Sequence, residues 1–269
     1  MRSTGVSVGD GVLEILDLGA GEPALFIQTG LTADELLPLA ADPALDGYRR
    51  LVLHRRGYAG SSPAVLPTSI SGDAADCASL LDSLGLDRVQ VVGFSYSGAV
   101  ALQLAADYPE RVAGLALIES PPIQTQYRDE FMAVLDHWLM LRREEGVAAA
   151  LDATLDMLGT REWWTAIDPY APEARVQMRA DAATFYDGDL PALAAWEPGD
   201  LADRISCPVL YVGGDQSGPW WDAERERVLA SFRQVENVVI EGADHGLAAV
   251  RAGEVAVAMK RFWDVGGSR

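Results

Sequence analysis

Short runs of uninterrupted apolar residues, alternating with stretches of helical spacing, constrain this chain more than any other feature. Residues 24–27, 51–53 and 113–118 are such runs, and 89–92 is another with only Gln90 interrupting it. Each reads as a strand buried on both faces, because a strand with one solvated face alternates apolar and polar residues. Between them, residues 73–84 carry apolar side chains at helical spacing and stop at Gly85, a residue suited to close a helix. A second helical stretch, 98–108, ends before Pro109. Strands alternating with helices predict an α/β fold built from crossover units, with a mostly parallel sheet and helices on both faces. Ahead of this pattern, 12–18 follows the Asp10-Gly11 turn and reads as the second arm of an opening hairpin.

The rhythm changes after Pro121-Pro122. Residues 123–204 hold amphipathic helical segments (130–145, 146–158, 172–186) and no convincing strand. Alternation resumes with an apolar run at 208–212, a helical stretch at 222–232 and a run at 238–240, and a final helix is expected over 247–263. The 269 residues therefore read as one α/β domain, 1–122 and 205–269, interrupted by a helical insertion at 123–204.

Charge narrows the choice of partner. The chain has 40 acidic and 21 basic side chains, a formal charge of −19 and a single lysine, Lys260. Nucleic-acid surfaces cluster Lys and Arg, so no nucleic-acid partner is expected. Two cysteines make no disulfide framework, and histidines at 54, 137 and 245 offer no zinc-ligand spacing, so no metal is expected. No apolar run approaches the ~20 residues that span a bilayer. Residues 1–11 have no signal-peptide core, so the expectation is a cytoplasmic protein without a membrane partner. Scarce lysine beside abundant Arg and Ala suggests a GC-rich bacterial source.

The segment that carries chemistry is Gly93-Phe94-Ser95-Tyr96-Ser97-Gly98. A serine between a buried strand and a helix, with small residues two positions away on each side, suits a nucleophile elbow. Small residues let strand and helix approach, and the turn exposes the serine oxygen while aiming backbone amides, Tyr96's among them, at one spot. A packing turn also uses Ser and Gly, so context decides. A serine nucleophile needs a histidine base and an acid to orient it. Of the three histidines only His245 lies after a strand and C-terminal to the serine, as a Ser–acid–His order requires.

At this point the chain resembles the α/β-hydrolase superfamily over nearly its whole length outside the insertion. The similarity is greatest at 91–112, where Tyr108-Pro109-Glu110-Arg111-Val112 follows the elbow helix. Arg56-Gly57-Tyr58-Ala59-Gly60-Ser61 resembles the family's loop after the fourth strand, with His54 where that loop usually starts with Asp. The resemblance implies an eight-stranded, mostly parallel sheet, a cap formed by the insertion and no cofactor. It also implies an oxyanion hole from the amides of Leu31, in Thr29-Gly30-Leu31, and Tyr96. Thr29 stands where the family has His, which puts any role of that side chain in doubt. The acid has two family positions. An acid at the end of the sixth strand is Glu119, 24 residues beyond Ser95, and we favour it. One in a Gly-x-x-Asp turn after the seventh strand meets Ser217, with Asp215 two positions early, so Asp215 is the alternative.

Four of the seven tryptophans, at 138, 163, 164 and 196, lie in the insertion, and Trp220-Trp221 follow the seventh strand. Such residues line pockets for apolar or aromatic ligands, and equally form a cap's own core and its seam. Phe94, His137, Trp138 and Trp220 are the candidate pocket residues. Residues 121–204 hold 16 acidic and 7 basic side chains, a net of −9 that disfavours polyanionic substrates. The expectation is a cofactor-independent serine hydrolase, monomer or homodimer, acting on a small-molecule carboxylic ester or lactone of apolar or aromatic character. Thioester, carbon–carbon bond hydrolysis and cyclisation or acyl transfer stay open in the same fold, as does a ligand-binding protein whose serine does not react.

Overall fold

The computed structural model describes residues 1–158 and 161–266. Residues 159–160 and 267–269, which fall inside the expected segment bounds, lie outside the described residues. One eight-stranded sheet runs through the molecule: β1 (Arg2–Val8), β2 (Gly11–Gly19), β3 (Glu22–Ile27), β4 (Tyr48–Leu53), β5 (Val89–Phe94), β6 (Val112–Ile118), β7 (Val209–Gly214) and β8 (Val235–Ile240). Their spatial order is β1-β2-β4-β3-β5-β6-β7-β8. The opening hairpin pairs antiparallel, as does β2 with β4, and every later pairing is parallel.

The helices are α1 (Leu37–Ala40), α2 (Ile70–Leu84), α3 (Tyr96–Asp107), α4 (Arg128–Glu145), α5 (Val147–Leu158), α6 (Arg161–Ile167), α7 (Ala174–Thr184), α8 (Leu190–Ala195), α9 (Leu201–Arg204), α10 (Pro219–Ser231), α11 (Leu247–Val250) and α12 (Ala252–Gly266). The expected last helix is thus two pieces, divided at Arg251. Local chemistry explains the ends of α2: the Ser69 hydroxyl accepts from Gly72 N, and Gly85 closes the helix at φ 64°. β8 begins three residues before its expected apolar core. It is an edge strand, so Val235-Glu236-Asn237 pair without being buried on both faces.

The sheet has a core on each face. One gathers Leu25, Ile27, Val91, Leu115 and Tyr211 with α2, α3 and the helices between β6 and β7. The other gathers Phe26, Val92, Phe94, Ile118 and Val212 with α1, α11 and α12. Successive strand residues therefore feed opposite cores, as the strand period requires. α4 to α9 all lie between β6 and β7. Among the described residues no helix is long and apolar enough to cross a membrane.

The helical segment is tied to the loop after β4 by specific polar contacts. Thr184 donates to Gly57 O at 2.9 Å, and Asp181 accepts from Ala59 N at 2.9 Å. Asp189 takes both terminal nitrogens of Arg55, at 2.9 and 2.6 Å. On the far side, Trp196 Nε1 donates to Gln103 of α3 at 2.9 Å.

Candidate active site

β5 delivers Ser95 to the carboxyl edge of the sheet through a turn with φ 49° and ψ −123°. The turn closes because its neighbours are small. A β-carbon on Gly93 would sit 2.7 Å from Ala101 Cβ, and one on Gly98 would sit 2.7 Å from Ser120 Cβ. Ser97 fits the second small position by folding its hydroxyl back, accepting from Phe94 N and donating to Phe94 O, both at 3.0 Å.

Among the described residues four non-glycine residues have positive φ: Leu31 (69°), Ala59 (46°), Ser95 (49°) and Glu119 (43°). Three of them meet at this edge. Backbone held in a sparsely populated region persists only where the surroundings over-determine it, and such residues gather at functional sites.

His245 arrives on the loop between β8 and α11. Its Nε2 is 3.1 Å from Ser95 Oγ, and its Nδ1 is 2.6 Å from Glu119 Oε2. Glu119 is fully buried, directly after β6, and its other oxygen accepts from Gly214 N at 2.8 Å. The imidazole is also fixed by its faces. Trp221 stacks on it at 3.9 Å with 8° between planes, and Phe94 lies 5.0 Å away. A β-carbon at Gly214 would collide with the Ala243 carbonyl, so glycine there lets the end of β7 approach the histidine loop.

Asp215, the alternative acid, is exposed and turns away. It accepts from Gly242 N at 2.7 Å and braces the loop before His245 rather than its ring. The two-residue displacement from the Gly-x-x-Asp position has that consequence.

The two expected oxyanion amides differ in what they meet. Tyr96 N is the first of α3 and has no intrahelical acceptor. Leu31 N donates to the Tyr58 hydroxyl at 3.3 Å, and that hydroxyl donates to Asp189 at 2.6 Å. Below them lies a buried cluster: Arg55 reaches Asp73 at 2.8 Å as well as Asp189, and its guanidinium stands 4.3 Å over the Tyr96 ring. The Tyr96 hydroxyl donates to Asp73 at 3.2 Å. Burial raises the Asp73 carboxyl to about 6 against the pull of Arg55.

His54 stands just outside this cluster. Its Nδ1 is 3.0 Å from Glu14, and its Nε2 forms an ion pair with Asp34 at 3.2 Å that misses hydrogen-bond alignment. Burial works against the imidazolium, but Asp34 and Glu14 outweigh it and raise His54 to about 9.

A cavity of about 250 Å³ opens over Ser95 and His245. Phe94, Trp138 and Trp220 line it, as does Trp163 of α6. His137 does not, which corrects its expected place. It is exposed, while Val134, Leu135 and Trp138 take the cavity side of α4. Neighbours in a helix point about 100° apart, so His137 and Trp138 do not share a direction. The tryptophans divide between the two expected uses: Trp138 and Trp163 line the cavity, Trp196 joins the seam, and Trp164 lies 5.0 Å under Arg175. Sequence reasoning missed Glu35, Trp221 and the Arg55–Asp189 pair. Only Trp221 left a trace, in the Trp220-Trp221 doublet.

The model of the alpha/beta hydrolase fold family matches residues 23–248. The chain belongs to that family. Among relatives of this alpha/beta hydrolase, a fluoroacetate dehalogenase from Burkholderia sp. is 27% identical over 234 residues, 78% of this chain and 76% of the relative. The acetyltransferase component of an acetoin cleaving system from Cupriavidus necator is 38% identical over 101 residues, 37% of this chain and 27% of that protein. Among solved structures, a thermophilic esterase from Thermogutta terrifontis superposes with a TM-score of 0.81 at 20% identity, covering 99% of both chains.

Proposed function

We propose that this alpha/beta hydrolase is a serine hydrolase of compact apolar or aromatic carboxylic esters or lactones. The observation that carries the reading is the unbroken chain from Ser95 Oγ to His245 (3.1 Å) and from His245 to Glu119 (2.6 Å). Ser95 attacks the substrate carbonyl while His245 Nε2 takes its proton. Glu119, acceptor-only when ionised, holds the Nδ1 proton and with it the ring tautomer that leaves Nε2 free as a base. The amide of Tyr96 stabilises the oxyanion, joined by Leu31 N once the carbonyl oxygen displaces the long contact to Tyr58. His245 then protonates the departing alcohol, and water, deprotonated by the same ring, releases the acid from Ser95.

Residues 123–204 serve as the cap over a catalytic domain formed by 1–122 and 205–269. The size and apolar lining of the cavity support a small substrate, since drug-sized ligands occupy about 300–1,000 Å³. The test is labelling with a fluorophosphonate probe alongside p-nitrophenyl acetate turnover, with Ser95→Ala as control. A Ser95-dependent label with turnover supports the reading. Neither label nor turnover would make the protein a ligand-binding member of the fold.

A further inference from the structure

Six carboxylates are buried among the described residues: Glu35, Asp73, Glu119, Asp181, Asp189 and Glu224. Five are met by the chain's own donors. Arg55 takes Asp73 and Asp189, His245 and Gly214 N take Glu119, Ala59 N and Gln177 take Asp181, and Arg227 with Ser120 takes Glu224. Glu35 is the exception. It is 3% exposed, on the segment between β3 and α1, and its buried Oε1 has no hydrogen-bond partner. A carboxyl is costly to bury in that state, so a native chain that keeps one there calls for an explanation.

The side chain lines the cavity that holds Ser95 and His245. Among the described residues no Lys or Arg lines this cavity, and the one histidine there is engaged by Ser95 and Glu119. A second buried, unpartnered oxygen, Ser217 Oγ, belongs to another residue lining the same space. The remaining walls are mostly apolar, aliphatic and aromatic side chains together, with Trp138, Trp163 and Trp220 among them, and indole rings attract cations. The chain's −19 charge favours approach of a cation over an anion.

We propose that Glu35 is the recognition group for an ammonium on the substrate, so that the site selects amine-bearing esters or lactones. This rests on the serine-hydrolase reading and narrows its substrate class. Burial holds the unliganded Glu35 protonated up to about 8, and a bound ammonium reverses that by giving the carboxylate the partner it lacks.

The experiment uses two esters that differ only at one atom, 2-(dimethylamino)ethyl acetate, protonated at pH 7, and 3-methylbutyl acetate. The wild type is expected to favour the amino ester in kcat/KM by about tenfold or more, as charge-assisted hydrogen bonds warrant. In Glu35→Gln, and in Glu35→Met as a second variant of similar length, that ratio should fall toward one. A wild type without the preference overturns the proposal. So does a Glu35→Gln that slows both esters by one factor and keeps their ratio, since that is a structural role. Binding gives an arm independent of turnover: 2-phenylethylammonium should quench tryptophan fluorescence of Ser95→Ala more strongly than 2-phenylethanol at equal concentration, and adding Glu35→Gln should remove the difference. No difference in Ser95→Ala also overturns the proposal. Ammonium binding without Ser95 labelling retires the hydrolase reading alone, and labelling without amine preference retires the Glu35 proposal alone.

Discussion

Two buried acidic sites border the same stretch of chain, residues 28–36, and they are built in opposite ways. Around Arg55, the carboxylates of Asp73 and Asp189 receive charged and hydroxyl donors from Arg55 and Tyr58 of the loop after β4 and from Tyr96 of α3. Glu35, a few residues from that cluster's contacts with Gln28 O and Thr29 O, has a buried Oε1 that receives no hydrogen bond from the described residues. The first site fastens the helical segment to the loop beneath Leu31 and Tyr96. The second does no fastening and opens on the cavity. Buried charge that holds a fold is saturated by that fold, whereas an unsaturated polar group lining a pocket calls for an explanation, and the one proposed for Glu35 is a ligand.

The sharpest way to break the comparison is to empty the saturated site. Asp189→Ala leaves Arg55 with Asp73 as its one carboxylate among the described residues and removes the acceptor of Tyr58, and it should cost about 3–5 kcal/mol of stability in urea denaturation. It should also lower kcat, because Tyr58 and Leu31 lose their anchor. A stability cost within the range of an ordinary surface change would mean that the cluster is not structural.

Glu35→Gln should behave in the opposite sense. The unfolded chain releases this proton near 4.5 and the folded chain holds it to about 8. The folded state therefore binds more protons between those values, and wild-type stability falls as pH rises through that window. Glutamine is neutral throughout, so the variant should gain on the wild type from pH 5 to pH 8 in matched denaturation curves. His54 adds a fall of its own: raised to about 9, it contributes fully below 6.5 and loses that contribution as pH rises to 9. This part is common to both proteins and cancels in the comparison. The smallest effect belongs to His137→Ala, which should stay within about 0.5 kcal/mol in stability and leave kcat/KM unchanged, since the side chain is exposed and outside the cavity.

Much of this organisation was legible in the residues. The elbow could be read because its constraints are local: Gly93, Ser97 and Gly98 must be small within six positions. The strand pattern was readable for the same reason, as burial on both faces writes itself as an apolar run. Glu119 was legible through topology, because the end of β6 lies beside the end of β5 in a parallel sheet. What escaped depends on contacts that no local pattern encodes. Arg55 and Asp189 are 134 positions apart. Asp34-Glu35 looks like a solvated acidic pair, and only the fold sends one acid to His54 and the other into the cavity. The direction of His137 depended on which face of α4 turns inward, and its many half-buried residues do not declare that.

The central claim is that Glu119, and no other acid, orients His245 to activate Ser95. The most direct measurement is the second-order rate of fluorophosphonate attachment to Ser95, followed by intact mass at pH 7.5, for wild type, Glu119→Gln and Asp215→Asn. The account predicts that Glu119→Gln lowers this rate by about 10³–10⁴, the scale of losing a triad's orienting acid. Asp215→Asn, whose carboxylate serves Gly242 N, should stay within about threefold of wild type. A collapse of the rate in Asp215→Asn with Glu119→Gln unaffected would contradict it.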